Sequence, residues 1–102
     1  MNEFEELAAR IREFADARNW HKFHTPKNLS MALVGEAGEL VAEFQWMTQE
    51  ESERSMLTAE QVEAIRLEMA DVQIYLIRLA DVLEIDLPDA VRAKMKINEG
   101  RF

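Results

Sequence analysis

The 102 residues carry 20 acidic against 12 basic side chains, a formal net charge of −8 and a pI near 4.7, with no cysteine. Such a chain repels phosphate backbones and anionic lipid, which argues against a nucleic-acid polymer or a membrane as partner, and the missing thiols exclude disulfides, zinc-thiolate sites and cysteine nucleophiles. The length predicts a single domain, residues 1–102, and three glycines and two prolines among plentiful Ala, Leu, Glu and Met favour long helices over short strands.

The N-terminus, MNEFEELAAR, is acidic and amphipathic, unlike a signal peptide, and no apolar run approaches the ~18 residues that span a bilayer. A soluble, cytoplasmic protein is expected. The first helix is predicted over about Asn2–Arg18, with Phe4, Leu7, Ala8, Ile11, Phe14 and Ala15 on one stripe. NWHKFHTPKN follows, where Pro26 disfavours helix in Thr25 and Asn28 can cap a second helix over about Leu29–Met47. TQEESERSMLT reads as a solvated loop with room for one helical turn. Thr58 and Gln61 form a capping-box pattern that starts a third helix, running to about Leu83. Its stripe of Val62, Ile65, Met69, Val72, Leu76, Leu79 and Leu83 is widened by Ile74, Ile77 and Ala80, so it packs on more than one side. A short fourth helix is expected over Pro88–Asn98 and ends basic, in KMKINEGRF. The fold class is all-α, about four helices per chain. The second and third helices are apolar around most of their circumference, so at least a dimer is expected to complete the bundle.

Acidic residues interrupt those two apolar helices. Glu36 and Glu39 lie three apart on the second, with Glu43 and Trp46 further along, and Glu68 and Asp71 repeat the spacing on the third, followed by Tyr75 and Arg78. Antiparallel packing would bring the two pairs face to face. Four converging carboxylates cannot all stay ionised without a cation, and carboxylate-only ligation suits Mg²⁺, with Mn²⁺ as a substitute. The competing explanation is a solvated acidic stripe, which suits either pair alone better than both together.

The motifs Glu36-Ala-Gly-Glu39 and Glu68-Met-Ala-Asp71 resemble the metal motif of the MazG-like all-α nucleoside triphosphate pyrophosphatases. FHTPKNLSMALVGEAGELVAEFQW, LEMADVQIYLIRLA, DLPDAV and KMKINEGRF together are similar to the dCTP pyrophosphatase branch of that family. The resemblance covers most of the chain from Trp20 onward. It implies Mg²⁺-dependent hydrolysis of a nucleoside triphosphate, such as dCTP or a modified dCTP, to the monophosphate and pyrophosphate. It also implies a bundle completed by other subunits, as a homodimer or a dimer of dimers. Carried across, it makes Glu36, Glu39, Glu68 and Asp71 the metal ligands and sets Trp20, His24 and Trp46 around the base. Tyr75 falls beside the sugar or metal, and Lys94, Asn98 and Arg101 fall on the phosphate tail. Glu36 or Glu39 would serve as general base. Family members usually continue past the arginine, often with Tyr-Pro, whereas this sequence stops at Phe102.

Taken one at a time, these side chains have ordinary explanations. The tryptophans and Tyr75 suit a core or interface, His24 can bond a loop carbonyl, and a basic helix end complements the macrodipole. Glu43 has the weakest claim to a ligand role. Two other classes compete. A ferritin-like di-iron site needs Glu-x-x-His pairs, which are absent because both histidines, His21 and His24, precede the second helix. A non-catalytic helical dimerisation module predicts neither metal-dependent stability nor turnover. Within the family, dATP, dUTP or phosphoribosyl-ATP are alternative substrates.

Overall fold

The computed structural model describes residues 1–102. Four helices form: α1 over Glu3–Ala17, α2 over Pro26–Ala42, α3 over Ala59–Val82 and α4 over Leu87–Arg101. Two single 3₁₀ turns, Glu50–Ser52 and Arg54–Met56, occupy the polar connection between α2 and α3. There is no strand.

Local chemistry explains where each helix begins. Asn2, Thr25, Thr58 and Asp86 each accept a hydrogen bond from the backbone N–H three residues on, which satisfies an otherwise orphaned donor. At Thr58 the capping box is complete, because the Gln61 side chain also accepts from the Thr58 N–H at 2.8 Å. The second helix starts three residues earlier than expected. Thr25 rather than Asn28 is the cap, and Pro26 opens the helix, where its missing N–H costs nothing. Asn28 instead donates from its side chain to the Phe23 carbonyl, tying the preceding turn to the helix start. The fourth helix is longer than expected, because Asp86 caps it one residue early and it continues to Arg101.

Helix ends follow one device twice. After α1, Asn19 adopts φ 57° and the N–H groups of Asn19 and Trp20 donate back to Asp16 and Ala15. After α3, Glu84 adopts φ 58° and Glu84 and Ile85 donate to Asp81 and Ala80. Both are Schellman caps closed by a residue other than glycine; asparagine tolerates the left-handed region better than glutamate. By contrast α2 ends at Ala42 and unwinds through turns, so Phe44, Trp46 and Met47 lie beyond the helix that was expected to carry them.

The packed pairs are α2 against α3 and α1 against α3, so α3 is the shared central helix. Leu29 on α2, Ala8 and Ala15 on α1, and Ile65, Ile77 and Ala80 on α3 form the buried apolar core. Only seven of the 102 residues are buried, too few for a closed bundle. The accessible surface is 7985 Å², whereas a compact monomer of this mass exposes about 6,000 Å². The radius of gyration, 16.2 Å, likewise exceeds the roughly 13 Å of a compact chain this long. Much of the surplus is apolar: Met31, Val34 and Val41 on α2, Leu67, Met69 and Ile74 on α3, and Val91, Met95 and Ile97 on α4 are all more than two-fifths exposed. Helix α4 buries none of its residues.

One ion network ties α1 to α3. Arg12 donates through Nε and Nη2 to both oxygens of Asp81, at 2.9 and 2.7 Å, and Arg78 Nη1 donates to Asp81 Oδ2 at 3.3 Å. The Arg12 hydrogen bonds, reinforced by the charges of Arg12 and Arg78, hold the Asp81 carboxyl below its ordinary range against the opposing effect of burial. Because the folded-state pKa is depressed, Asp81 stabilises the fold above the unfolded carboxylate pKa of about 3.9 and loses that contribution as pH falls through the folded value. Asp81→Asn should therefore cost about 1–3 kcal/mol near pH 7, discounted by the half-exposure of Arg12, with the deficit shrinking below about pH 4. Urea unfolding of both proteins across that range checks it; a deficit independent of pH contradicts it.

Candidate metal centre

The α2–α3 interface carries the acidic side chains that interrupt the apolar pattern. Glu36 and Glu39 are three residues apart on α2, and Glu68 lies on α3. One carboxylate oxygen from each of Glu36, Glu39 and Glu68 lies within 4.8 Å of the others. Glu36 Oε2 and Glu68 Oε2 are shut off from water and have no hydrogen-bond partner. A buried carboxylate oxygen with no donor is costly unless something else satisfies it.

The electrostatics agree with the geometry. The Glu36 carboxyl is raised above its ordinary pKa, first by desolvation and then by the charges of Glu39 and Asp71. Glu68 is raised by desolvation and by Glu39, Asp71, Glu36 and Glu43, in that order. Asp71, exposed and nearly one turn beyond Glu68, thus acts on both half-buried acids. Glu43, at the C-terminal cap of α2, is the last contributor to Glu68. No basic side chain figures among the influences on either acid. This donor set, oxygen only and anionic, with one oxygen each of Glu36 and Glu68 unpartnered, fits a hard divalent cation.

A second cluster forms at the turn between α1 and α2. The Schellman cap of α1 fixes Trp20, and the N–H groups of Phe23 and His24 both donate to the Trp20 carbonyl, at 2.8 and 3.1 Å. Trp20 meets Phe14 edge-on at 5.7 Å between ring centroids, and the His24 ring lies 6.2 Å away, tilted by 54°. Arg18 stacks over Phe14 at 3.5 Å. Desolvation, and secondly the charge of Arg78, lower the pKa of His24, which favours its neutral form.

The remaining expected site residues are dispersed. Tyr75 is half-buried on α3, four residues past Asp71. Trp46 lies past the end of α2 and is 89% exposed. Lys94, Asn98 and Arg101 are on α4, which has no packed interface with α2 or α3. A single chain thus assembles the acids and the Trp20–His24 pair, but it does not gather the α4 cations around them. Arg78 escaped assignment to any site. The clue was a lone charge within the apolar run from Ile74 to Ala80, and Arg78 is the single charged residue among the seven buried.

Fold and site together define an all-α bundle with a carboxylate cluster between two helices, and comparison with known proteins agrees. The MazG-like family model matches residues 32–101. The dCTP pyrophosphatase 1 of Homo sapiens is 47% identical over 90 residues, which cover 88% of this chain and 53% of that protein; the Bos taurus protein is 44% identical over the same shares. A crystal structure of a pyrophosphatase from Archaeoglobus fulgidus superposes with a TM-score of 0.91 at 41% identity, covering 100% of this chain and 94% of that one. The chain belongs to the MazG-like family. It spans about half the length of the curated relatives it matches.

Raised carboxyl pKa values reverse the sign found for Asp81. With their pKa values raised in the folded state, Glu36 and Glu68 bind protons more tightly there than in the unfolded chain, so their clustering destabilises the metal-free protein as pH rises above the ordinary carboxylate range. In chelating buffer at pH 7, Glu68→Gln should raise Tm, because it removes one of the crowded charges. Added MgCl₂ should raise the Tm of the unsubstituted chain and leave the variant nearly unmoved. Scanning calorimetry of both proteins with and without Mg²⁺ decides this, and a Tm indifferent to the ion in the unsubstituted chain contradicts it.

Proposed function

We propose that this chain is a soluble, metal-dependent nucleoside triphosphate pyrophosphohydrolase, acting as one domain and converting dCTP or a modified dCTP to the monophosphate and pyrophosphate. The observation that carries the reading is the convergence of Glu36, Glu39 and Glu68 with two buried, partnerless carboxylate oxygens in a MazG-like chain. The names of the human and bovine relatives support the choice of dCTP.

In this reading Glu36, Glu39, Glu68 and Asp71 hold Mg²⁺, with Mn²⁺ as a substitute. When bound, the ion neutralises the triphosphate and makes water more acidic. The chain's own groups do the rest. Glu36 or Glu39 accepts the proton of the attacking water, whose oxygen bonds to phosphorus as the anhydride P–O bond breaks and pyrophosphate leaves. Lys94, Asn98 and Arg101 bind the phosphate tail, and the two cations stabilise charge on the leaving group. Trp20, Trp46 and His24 bound the base, with stacking on the indoles, and Tyr75 lies by the sugar.

Catalysis on this plan requires a homodimer or homotetramer. The exposed surface exceeds that of a compact monomer by roughly 2,000 Å², a burial typical of one subunit in an obligate assembly. The added β-carbon of an alanine at Gly35 or Gly38 would meet nothing within 4 Å. Glycine inside a helix costs roughly 0.5–1 kcal/mol relative to alanine, and close approach by a second subunit or by substrate accounts for keeping it. The free α4, with its Lys94 and Arg101, is then available to an acid cluster on a neighbouring subunit.

Two outcomes are expected. Incubation with Mg²⁺ and a panel of nucleoside triphosphates should release pyrophosphate from dCTP, and Glu39→Gln or Asp71→Asn should lower turnover by at least about a hundredfold with helicity unchanged. Release of phosphate alone, or activity kept in both variants, sinks the assignment. Sedimentation equilibrium should give at least twice the 11.9 kDa chain mass; a monomer under assay conditions removes the shared-site account.

A further inference from the structure

Arg78 is 6% exposed, on α3 between Ile77 and Leu79. A guanidinium so placed needs partners for its donors, and two are present. Nη1 donates to Asp81 Oδ2 at 3.3 Å, and Asp81 is in turn gripped by Arg12 from α1. Nε donates to Nδ1 of His24 at 3.1 Å, across 54 positions of sequence. The second bond has a chemical consequence. Arginine stays protonated and has no acceptor, so Nδ1 must offer its lone pair. A neutral imidazole whose Nδ1 is an acceptor carries its proton on Nε2.

We propose that Arg78 is a positioning residue which fixes His24 as a neutral imidazole with one outward donor, Nε2–H, directed to a hydrogen-bond acceptor on the nucleotide's base or sugar. The proposal rests on the reading above, in which His24 borders the nucleotide. The geometry supplies the rest. The imidazole sits beside the Trp20 indole, so a base stacked on that indole brings its edge toward the ring nitrogen. Asp81 balances the Arg78 charge and Arg12 holds Asp81, so the orientation of His24 is braced through α3 from α1. The desolvation and positive charge around His24 favour the same neutral form. A ring fixed this way selects a carbonyl oxygen or ring nitrogen and rejects a donor at that edge, because two opposed donors leave both unsatisfied.

The test uses the full chain with ¹⁵N-labelled histidine. Long-range ¹H–¹⁵N correlation spectra of the unsubstituted protein above neutral pH should show His24 protonated at Nε2 and bare at Nδ1. Arg78→Met should release the bias and give a mixture of tautomers, while Arg78→Lys, which can still donate, should restore it in part. Asp81 keeps Arg12 in both variants, and circular dichroism checks that they fold. In steady-state assays with dCTP and Mg²⁺, Arg78→Met should raise KM about tenfold with kcat within about twofold, the scale of one hydrogen bond. In a His24→Ala background the same substitution should add nothing. A proton on Nδ1 in the unsubstituted protein overturns the proposal without any variant. So does a tautomer unaffected by Arg78→Met, or a KM penalty that persists without His24. If the tautomer follows Arg78 but no nucleotide is hydrolysed, the link between the two residues is upheld and the pyrophosphohydrolase reading fails.

Discussion

The structure turns on like charges held at a helix interface. Apolar residues on α2 and α3 drive the two helices together, and that contact brings Glu36, Glu39 and Glu68 within ligand distance of one another. Packing and electrostatics therefore act in opposite directions at the same place. The molecule answers the conflict with no internal cation: the only buried one, Arg78, is engaged with His24 and Asp81. Two carboxyls are consequently held above their ordinary pKa values and two oxygens are left partnerless. An interface built this way is a poor stabiliser of the empty chain, and its oxygens are the ligand type that a hard cation prefers. Strain of this kind is more readily explained by binding than by folding.

A second constraint follows from the shape. Helix α3 is central, with α1 and α2 packed on it, yet most of the large apolar side chains of the molecule stay partly in water. Exposed Met, Val and Ile on α2, α3 and α4 leave room for a second copy to cover them, and this is also how the cations of α4 could meet an acidic cluster they do not reach in their own chain. Trp46 fits the same pattern. At 89% exposure its indole stands almost wholly in water in this chain.

Much of this was legible in the sequence, for identifiable reasons. The capping box at Thr58, the long α3 and the opposed ExxE and ExxD pairs depend on short-range spacing, which the residue order carries directly. The start of α2 was less legible because Thr25 and Asn28 are both good caps, and the choice between them depends on Pro26 occupying the first helical turn. The end of α2 was misplaced because the apolar spacing continues through Phe44 and Met47 while the backbone has already turned. The Arg78–His24 bond was not legible at all. It joins two helices' worth of distant sequence, and nothing in the spacing of either residue names the other. The dispersal of the α4 cations was hidden for a different reason: helix phase shows which side chains share a face, but not which chain that face packs against.

The most direct test of the account is where a paramagnetic ion goes. Substoichiometric Mn²⁺ added to the ¹⁵N-labelled protein should broaden the amide resonances around residues 36–39 and 68–71 first, and excess Mg²⁺ should restore them. Glu39→Gln should weaken the effect at both segments together if the two helices share one centre. Broadening spread evenly over the acidic surface, or confined to one helix, would contradict the claim that α2 and α3 jointly form a metal centre.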